Sequence, residues 1–469
     1  MPVIAARLNG HFSLQMQANG SIAASMGDYS VNLGSFSATA LDRARHLITG
    51  LPLASFAGKS ALAREVDVLV HRLAQHGLVE YRLYSRDEQD LVIIEPQVPE
   101  YWPQRAKLGK NDTVVLSRFA YLRRRGNELV LESPRAGALF RIGDPVIAAT
   151  LATLSRPQKI SRLGREAASF IDLLGLLLDC QILLKLSAKD GAGLRLNEGD
   201  GNLVLWDFHD LVFHTRSTEG RHANPVGGTF THAGAVQALP AVRPAWPGRK
   251  IDLRKVSASE PTSAFAKLLR ERHSVRDFDD EHPVTLAELA QFLDTSARVL
   301  SEWNSDTNFG PQITYSTRPY PSAGSAYELE LYLAVSNCEG LSRGLYHYDA
   351  GSHALVAIGA SAQQLKAFSA AAQFAMDAPG PPQVLITIAA RFGRVSWKYS
   401  SIAYSLILKN VGAMIQTFYL TATDMGLGGC AIGTTNIDLF AKTTELEFHV
   451  ESPVGQFALG RGRRLPAES

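Results

Sequence analysis

The segment Arg272-His273-Ser274-Val275-Arg276 decides how this chain is interpreted. It follows directly on a predicted helix, and its two guanidiniums and one hydroxyl stand at alternate positions, which an extended backbone points the same way. Forked, permanently charged arginine donors in this arrangement suit a phosphate group. The alternative is a basic helix end that complements the helix dipole, and spacing alone favours that alternative. A phosphate site can therefore be distinguished from a basic helix end only with the help of other segments of the chain.

Two stretches of small residues follow further along the chain. They are Pro321-Ser322-Ala323-Gly324, which runs into a predicted strand, and Gly428-Gly429, which follows a predicted helix. Small side chains let backbone N–H groups approach a flat ligand closely. Taken alone, the first stretch is more typical of an ordinary turn and the second of a helix C-cap.

A lysine and a tyrosine stand together at the start of a long apolar helix. This helix is predicted over residues 397–425, and because it is apolar on nearly every side it must be buried in a core or a subunit interface. Lys398-Tyr399 at the mouth of such a helix would be partly removed from water and so suited to acid–base work. The alternative is a lysine that reaches solvent beside a half-buried tyrosine.

The chain ends in a basic segment, Ala458-Leu459-Gly460-Arg461-Gly462-Arg463-Arg464, which on its own is typical of a disordered tail. The Gly-rich segment before it is not a dinucleotide-binding fingerprint, because it ends a helix instead of opening one. The sequence has no P-loop, no His-Glu-x-x-His motif and no Gly-x-Ser-x-Gly motif.

The composition is that of an ordinary globular protein. Of its 469 residues 46% are hydrophobic and 20% are charged, with a formal net charge of +2. At about 150 residues per domain, this length predicts roughly three domains. Interspersed charges argue against a nucleic acid as the main partner. The cysteines, Cys180, Cys338 and Cys430, are scattered without metal-ligand spacing, so we expect a reducing cytoplasm and no metal site. The first residues lack a charged segment followed by a long apolar core, and the apolar stretch at 170–186 is short and contains two aspartates, so we expect no signal peptide and no membrane span.

The first half of the chain contains a weak duplication. In each copy strands precede two helices, and a hairpin follows. The shared markers are Leu62-Ala63-Arg64-Glu65 and Leu163-Gly164-Arg165-Glu166. The order resembles a winged helix, so we predict winged-helix-like modules at residues 1–98 and 110–215. A Gly- and Pro-rich stretch at 216–250 is predicted to be a linker or arm, and residues 251–469 a further domain of mixed helices and strands.

The order of the segments in this last domain resembles the FMN-dependent nitroreductase fold. The resemblance implies an FMN phosphate between the arginine cluster and the terminal arginines, small-residue stretches against the isoalloxazine, and a homodimer with FMN at the subunit interface. The implied cofactor-binding residues are Arg272, His273, Ser274, Arg276, Pro321, Ser322, Ala323, Gly324, Gly428, Gly429, Arg461 and Arg463. The predicted fold class is therefore α+β, with a C-terminal nitroreductase-like FMN domain preceded by two winged-helix-like modules.

Four segments narrow the resemblance to the SagB/McbC-type azoline dehydrogenases. They are Arg318-Pro319-Tyr320-Pro321-Ser322-Ala323-Gly324, the Gly-Leu-Tyr-His-Tyr-Asp run Gly344–Asp349, the pair Lys398-Tyr399, and Phe208-His209 with Phe213-His214-Thr215-Arg216. These enzymes oxidise thiazolines or oxazolines in ribosomal peptides. The resemblance implies that Lys398 and Tyr399 are catalytic and remove a proton, while a hydride passes to N5 of FMN. The Gly-Gly usual in the first small-residue stretch is Ala323-Gly324 here, a change that we expect to be tolerated.

The overall layout is most similar to the cyanobactin oxidases, so the implied partners are an azoline-containing peptide and, for the N-terminal modules, a leader peptide or a cyclodehydratase. Three other functions stay open. An NAD(P)H-dependent nitro- or flavin reductase would share the same domain. A flavin-bearing winged-helix regulator could touch DNA through Arg123-Arg124-Arg125. A scaffold without catalytic activity would only bind the leader peptide.

Overall fold

The computed structural model describes residues 2–10, 12–26, 29–85, 87–163, 170–186, 198, 201–257, 263–305 and 311–463. Contacts divide the chain into two compact units: residues 1–216 with 220–223, and residues 217–219 with 224–469. Within the described ranges, none of the helices combines the length and the apolar character needed to cross a bilayer.

The first unit is built from antiparallel sheets and short helices. Its strands are β1 (Val3–Leu8), β2 (Ser13–Met16), β3 (Ser21–Met26), β4 (Tyr29–Ser35), β5 (Leu51–Pro52), β6 (Val79–Tyr84), β7 (Asp90–Pro96), β8 (Thr113–Leu116), β9 (Tyr121–Arg125), β10 (Glu128–Glu132), β11 (Ala138–Ile142), β12 (Gln158–Lys159) and β13 (Leu183–Leu186). Its α-helices are α1 (Ala38–Ala44), α2 (Ala61–Gln75), α3 (Pro145–Thr153), α4 (Ile171–Asp179) and α5 (Phe208–Arg216). Short 3₁₀ turns lie at Arg45–Ile48, Leu53–Ala57, Ile160–Arg162 and Leu203–Leu205.

One large sheet spans both predicted modules of this unit. Its seven strands have the order β5-β1-β6-β7-β11-β10-β9, and two three-stranded sheets accompany it, β2-β3-β4 and β12-β8-β13. Strand β7, from the first predicted module, pairs with β11, from the second. The winged-helix-like modules at 1–98 and 110–215 therefore stay a prediction, and the second Leu-x-Arg-Glu marker lies mostly outside the described residues.

Helix α2 illustrates how the core of this unit forms. The Ser60 hydroxyl caps its N-terminus by accepting a hydrogen bond from the Ala63 N–H. Val66, Leu69 and Leu73 follow at helical spacing, and all three are buried. They belong to the apolar cluster that also contains residues of β1, β6, β7 and β11.

The second unit carries the longer helices and a six-stranded sheet. Its strands are β14 (Ser301–Asn304), β15 (Thr314–Thr317), β16 (Leu329–Val335), β17 (Gly344–Asp349), β18 (Ala354–Ile358), β19 (Val384–Arg391), β20 (Gly428–Ile432) and β21 (Glu451–Gly460). Its α-helices are α6 (Arg254–Ser257), α7 (Ala264–Glu271), α8 (Leu286–Ala297), α9 (Ala362–Met376), α10 (Phe392–Ser396), α11 (Ala403–Asp424) and α12 (Ile437–Thr444), and a 3₁₀ turn lies at Ala323–Ser325.

The last strand of the second unit, β21, is an interior strand of its six-stranded sheet. The strand order is β18-β17-β16-β19-β21-β20, so the C-terminal strand β21 pairs with β19 on one side and with β20 on the other. This pairing places Gly428 opposite Gly460. The mixed order of helices and strands confirms the predicted α+β class.

The helix predicted over residues 397–425 is wrong at its N-terminal end. Helix α10 ends at Ser396 and α11 begins at Ala403. Between them Ser401 has φ +63, a left-handed conformation that a right-handed helix does not contain. Lys398 and Tyr399 therefore lie in the connection between two helices and not in the first turn of one.

The Gly-rich end of this helix has two parts. Gly426 adopts φ +67, as expected of a glycine that terminates a helix. Gly428 and Gly429, predicted as part of the same stop, instead begin strand β20. The stretch predicted as a linker, residues 216–250, has neither helix nor strand after Arg216, which ends α5, and its residues 227–250 are all exposed.

Candidate functional site

The arginine cluster is held between strand β20 and helix α11. It follows α7, and the Val275 N–H donates a hydrogen bond of 2.9 Å to the Gly429 carbonyl. The Ser274 hydroxyl lies 2.8 Å from the Tyr419 hydroxyl, which in turn accepts from the Ala431 N–H at 2.8 Å. The hydroxyl of Tyr419 on α11 thus joins the cluster to β20.

The terminal arginines reach the same place through backbone pairing. The Asp279 N–H donates to the Arg461 carbonyl at 2.9 Å, and the Arg463 N–H donates to the Asp277 carbonyl at 3.0 Å. The segment just after the arginine cluster and the segment just after β21 therefore run side by side. The arginine cluster and the terminal arginines therefore lie close together, although almost two hundred residues separate them in the sequence.

A cavity of about 1170 Å³ opens where these segments meet. Both basic and acidic side chains line it. The arginines are Arg276, Arg461 and Arg463, the histidines are His273 and His282, and the acidic residues are Asp277, Asp279, Glu281 and Glu339; Ser274 and Gly428 also line the cavity. A ligand here would meet cationic donors on the strand-like segments and carboxylates around them.

The arginines in and beside this cavity differ in whether a carboxylate of the protein already pairs with them. Among the arginines, Arg461 and Arg463 are paired: the Arg461 guanidinium lies 2.7 Å from Glu288, and that of Arg463 lies 3.4 Å from Asp277. Neither Arg272 nor Arg276 takes part in an ion pair with a described residue; Arg272 stands 5.1 Å from the ring centre of Tyr419. Arg272 and Arg276 are therefore not already paired with a carboxylate of a described residue, as Arg461 and Arg463 are.

Glu288 holds Arg461 firmly. It is part of a capping box at the start of α8, where its carboxylate accepts hydrogen bonds from the Thr285 N–H and hydroxyl. Burial raises the pKa of Glu288, but the hydrogen bonds from Thr285 and Arg461 outweigh burial and the pKa lies below its usual range. Arg461 also donates to the His282 carbonyl at 3.0 Å. Its phosphate contact stays a prediction, since the guanidinium would have to release Glu288.

The two glycines of β20 are explained by packing. A Cβ at Gly428 would stand 2.7 Å from the Val275 side chain, and a Cβ at Gly429 would overlap the Phe457 ring. The absence of side chains lets the arginine cluster and the core close on this strand. His273 is exposed, with Nδ1 2.9 Å from the Glu271 carbonyl, so its ring points back to α7.

The small-residue turn contacts the lysine and tyrosine predicted to be catalytic. Gly324 has φ +56, and a Cβ there would lie 2.8 Å from the Lys398 ammonium and would overlap the Tyr399 hydroxyl. The ammonium stands 3.5 Å from the Gly324 carbonyl. Lys398 is exposed, Tyr399 is half-buried, and Pro321 at the start of the turn is exposed. The structure therefore brings Gly324, Lys398 and Tyr399 together.

A buried polar network supports this turn from α11. Asn410 accepts a hydrogen bond from the Ala323 N–H at 3.1 Å, and its amide donates to Glu328 at 2.9 Å and to Ser322 at 3.2 Å. The Ser322 hydroxyl also donates to Glu328 at 3.3 Å. Burial raises the pKa of Glu328, against the opposing effect of the hydrogen bonds from Asn410 and Ser322.

Asn410 and Glu328 were missed by the sequence interpretation, as were Tyr419 and Glu288. An asparagine inside an otherwise apolar helix is the signal that could have identified Asn410, because a buried amide needs hydrogen-bond partners. The other three carry no comparable signal, since tyrosine and glutamate are ordinary residues in a helix or strand.

The two groups of site residues lie on opposite sides of α11. One contacts the helix at Asn410 and the other at Tyr419, nine residues later. Nine residues of α-helix span about 13 Å and turn through two and a half revolutions. The phosphate-type cluster and the Lys398–Tyr399 group of one chain are therefore separated by the body of its own helix.

Comparisons with known families match both parts of the chain. The model described as "Nitroreductase family" matches residues 269–461, and the model described as "Cyanobactin oxidase ThcOx" matches residues 114–223. The first match contains both groups of site residues, and the second lies almost entirely in the first compact unit.

Two curated relatives were found. A nitroreductase-like protein of Methanocaldococcus jannaschii, MJ1384, is 30% identical over 168 residues, which are 35% of this chain and 76% of that protein. The Escherichia coli microcin B17-processing protein McbC is 27% identical over 141 residues, which are 29% of this chain and only about half of McbC, at 52%.

Similar solved structures include the E. coli microcin synthetase McbBCD complex with truncated pro-MccB17 bound. It is 19% identical, covers 56% of this chain and 97% of that chain, and has a TM-score of 0.40. A nitroreductase-like protein from Ralstonia eutropha JMP134 is 22% identical, covers 47% and 89%, and has a TM-score of 0.34. The family and relative matches confirm the predicted resemblance to McbC/SagB-type members of the nitroreductase superfamily.

Proposed function

The chain belongs to the nitroreductase family, and from this premise we propose that it is an FMN-dependent oxidase that converts thiazolines or oxazolines of a ribosomal peptide to thiazoles or oxazoles. The observation that carries the proposal is the contact of Lys398 and Tyr399 with Gly324. A lysine and a tyrosine beside the small-residue turn supply groups for the proton removal that azoline oxidation requires.

The residues around the cavity fit a flavin phosphate. Arg276 lines it without an ion-pair partner among the described residues, Arg272 stands close by in the same condition, and the Ser274 hydroxyl lies between them in sequence. Guanidiniums of this kind bind a doubly charged phosphate by forked hydrogen bonds. We assign phosphate binding to Arg272, Ser274 and Arg276, with Arg461 and Arg463 as further ligands once they leave Glu288 and Asp277.

The proposed reaction removes two hydrogens from adjacent carbons of the azoline ring. One leaves as a proton from the α-carbon, and we assign its removal to Tyr399 and Lys398. Bound FMN supplies the two-electron oxidation that takes the other hydrogen with its electron pair. The ammonium of Lys398 lies 3.5 Å from the Gly324 carbonyl, where it can stabilise negative charge on the ring or on Tyr399.

The position of the two groups on α11 supports a homodimer with FMN at the interface. Because Asn410 and Tyr419 face opposite sides of the helix, a flavin on the Arg272–Arg276 segment of one chain would be distant from that chain's own Lys398 and Tyr399. A second copy supplies the missing half. The cyanobactin oxidase match at residues 114–223 supports a role of the N-terminal unit in docking a leader peptide or a cyclodehydratase.

Mass spectrometry of an azoline peptide incubated with the FMN-loaded protein tests the proposal. We expect a loss of two hydrogens per ring. Lys398→Ala and Tyr399→Phe should retain FMN and lose turnover by at least about a hundredfold, in the range of a lost proton-transfer group. Lys366→Ala, an exposed lysine on α9, is the matched control and should keep wild-type activity. Full activity in either site variant would remove Lys398 or Tyr399 from the mechanism.

An NAD(P)H-dependent nitro- or flavin reductase is the second candidate. The 30% identity to MJ1384 favours it, since that protein carries a nitroreductase name. Anaerobic mixing with NADPH distinguishes the two functions. An azoline oxidase keeps its oxidised flavin spectrum, whereas a reductase loses the flavin absorbance within its turnover time.

A further inference from the structure

Two aromatic side chains stack on an exposed hairpin beside Lys398. Trp303 on β14 and Tyr315 on β15 are directly opposite each other in the strand pairing. Their ring centres are 5.7 Å apart and their planes differ by 27°, which is a stacked pair. Trp303 is nevertheless 44% exposed, so a large part of its apolar ring faces solvent.

The hairpin is tied to the small-residue turn. Arg394 on α10 donates through Nε to the Ala326 carbonyl at 2.9 Å, and its guanidinium also donates to the Thr314 carbonyl next to Tyr315. One arginine therefore fixes strand β15 against the end of the turn that contains Gly324. The aromatic pair has a defined position relative to the turn and does not depend on the hairpin alone.

Tyr315 and Tyr399 share the Lys398 ammonium. The nitrogen of Lys398 lies 5.4 Å from the ring centre of Tyr315 and 5.4 Å from that of Tyr399, both within the range of a cation–π attraction. Trp303 stacks on Tyr315, and the lysine contacts of described residues involve Tyr315 and Tyr399. The Trp303–Tyr315 pair, hereafter the platform, is therefore linked to the proposed catalytic pair through the contact of Tyr315 with Lys398.

We propose that the Trp303–Tyr315 platform binds a planar five-membered heterocycle of the peptide, next to the ring that is being oxidised. This inference rests on the proposed function. A thiazole or oxazole is flat and aromatic and stacks on an indole face, whereas an azoline ring contains tetrahedral carbons and stacks poorly. The platform therefore selects peptides in which a neighbouring ring has already been oxidised. It makes the enzyme prefer clustered heterocycles over isolated ones.

Binding of a labelled peptide to the FMN-loaded protein tests the platform without turnover. The probe peptide carries one thiazole, and the comparison peptide carries cysteine at the same position. We expect the wild-type protein to bind the thiazole peptide about threefold to tenfold more tightly, the range of one aromatic stacking contact. Trp303→Ala should abolish this preference. Tyr315→Phe keeps the ring and should keep the preference, as should Phe374→Ala, which removes an aromatic ring that is 88% exposed on α9.

An unchanged preference in Trp303→Ala overturns the inference, and so does a phenylalanine peptide that binds as tightly as the thiazole peptide, because the platform would then read aromatic side chains. The same preparations are assayed for oxidation of an azoline placed beside the thiazole. If Trp303→Ala loses the preference for the thiazole peptide but the wild-type protein does not oxidise the azoline, the proposed function is rejected and the platform is retained. Oxidation together with an unchanged preference would reject the platform alone.

Discussion

Gly324 packs so closely beneath Tyr399 that any side chain at position 324 would overlap the tyrosine hydroxyl. The glycine is required for a second reason, because its φ of +56 is a conformation that L-residues adopt only with strain. The first atoms that an added methyl group meets are the mobile ends of Tyr399 and Lys398 and not backbone. A substitution here therefore moves the proposed catalytic pair before it disturbs the fold.

Gly324→Ala should lower kcat by at least about tenfold, since small displacements of reacting groups cost one to two orders of magnitude. The melting temperature should fall only slightly, as expected for about 1–2 kcal/mol of left-handed strain. Steady-state kinetics and thermal unfolding of the same preparation measure both quantities. Gly433→Ala is the matched control, because a Cβ there meets no atom within 4 Å. A large loss of stability with normal kcat would assign Gly324 to folding alone.

The arginines of the cavity should contribute unequally to flavin binding. Arg276 has no ion-pair partner among the described residues, whereas Arg461 must leave Glu288, 2.7 Å away, before it can reach a phosphate. We expect Arg276→Ala to weaken FMN binding about tenfold or more, the effect of one lost charge-assisted hydrogen bond. Arg461→Ala should weaken FMN binding less and lower the melting temperature more. Flavin fluorescence titration of the apoprotein measures the first effect and thermal unfolding the second.

Arg298→Ala provides the control for this comparison, because Arg298 makes an exposed ion pair with Asp294 at 2.8 Å away from the cavity. It should change neither flavin binding nor the melting temperature noticeably. Equal weakening by Arg276→Ala and Arg461→Ala would mean that Glu288 does not restrain Arg461.

The pH dependence of stability should carry a contribution from Glu328. Burial raises the pKa of this carboxyl, so the folded protein holds its proton more firmly than the unfolded chain does. The corresponding stability is fully present below the ordinary glutamate pKa and is lost as the pH rises through the raised value. Glu328→Gln cannot lose a proton, so its melting temperature relative to wild type should increase from about pH 4 to pH 7.

Thermal unfolding at half-unit pH steps measures this difference, and Glu447→Gln, at an exposed glutamate, should show a constant offset. A constant offset for Glu328→Gln as well would mean that the hydrogen bonds from Asn410 and Ser322 cancel the effect of burial.

The nitroreductase-like pattern was readable from the sequence because its members occur in a fixed order. Arg272–Arg276, the turn at Gly324 and the terminal arginines each have an ordinary explanation alone, and only their succession indicated a flavin domain. Strand β20 was misread because Gly428 and Gly429 are poor strand formers. Pairing with β21 and packing against Phe457 decide their conformation, and both contacts are remote in sequence.

The break before α11 could not be predicted for a different reason. Residues 397–402 contain no glycine or proline that would mark a break, and the interruption depends on the left-handed conformation of Ser401. That conformation serves tertiary contacts of Lys398 and Tyr399 with the turn, which local propensity does not encode. Arg461, in contrast, was predicted from its place in the order of the segments. Its ion-pair partner Glu288 caps the start of helix α8 and is not part of any of those segments.

Acid should destabilise the N-terminal unit through His214. This residue is fully buried on α5 against the Trp206 ring, 5.8 Å away between ring centres. Burial lowers the pKa of His214 to about 3, and the nearby Arg221 acts in the same direction. Below about pH 6.5 His214 therefore binds a proton in the unfolded chain but not in the folded unit. The free energy of unfolding should fall by up to about 1.4 kcal/mol per pH unit as the pH drops below that value. Urea unfolding between pH 7 and 4.5, with proteolytic fragments of the N-terminal unit identified by mass spectrometry, measures the slope. His214→Gln should flatten this slope whatever its effect on stability at pH 7. His209→Gln, at an exposed histidine, should leave the slope unchanged. Equal slopes in the wild-type protein and both variants would mean that His214 binds protons equally in the folded and unfolded states.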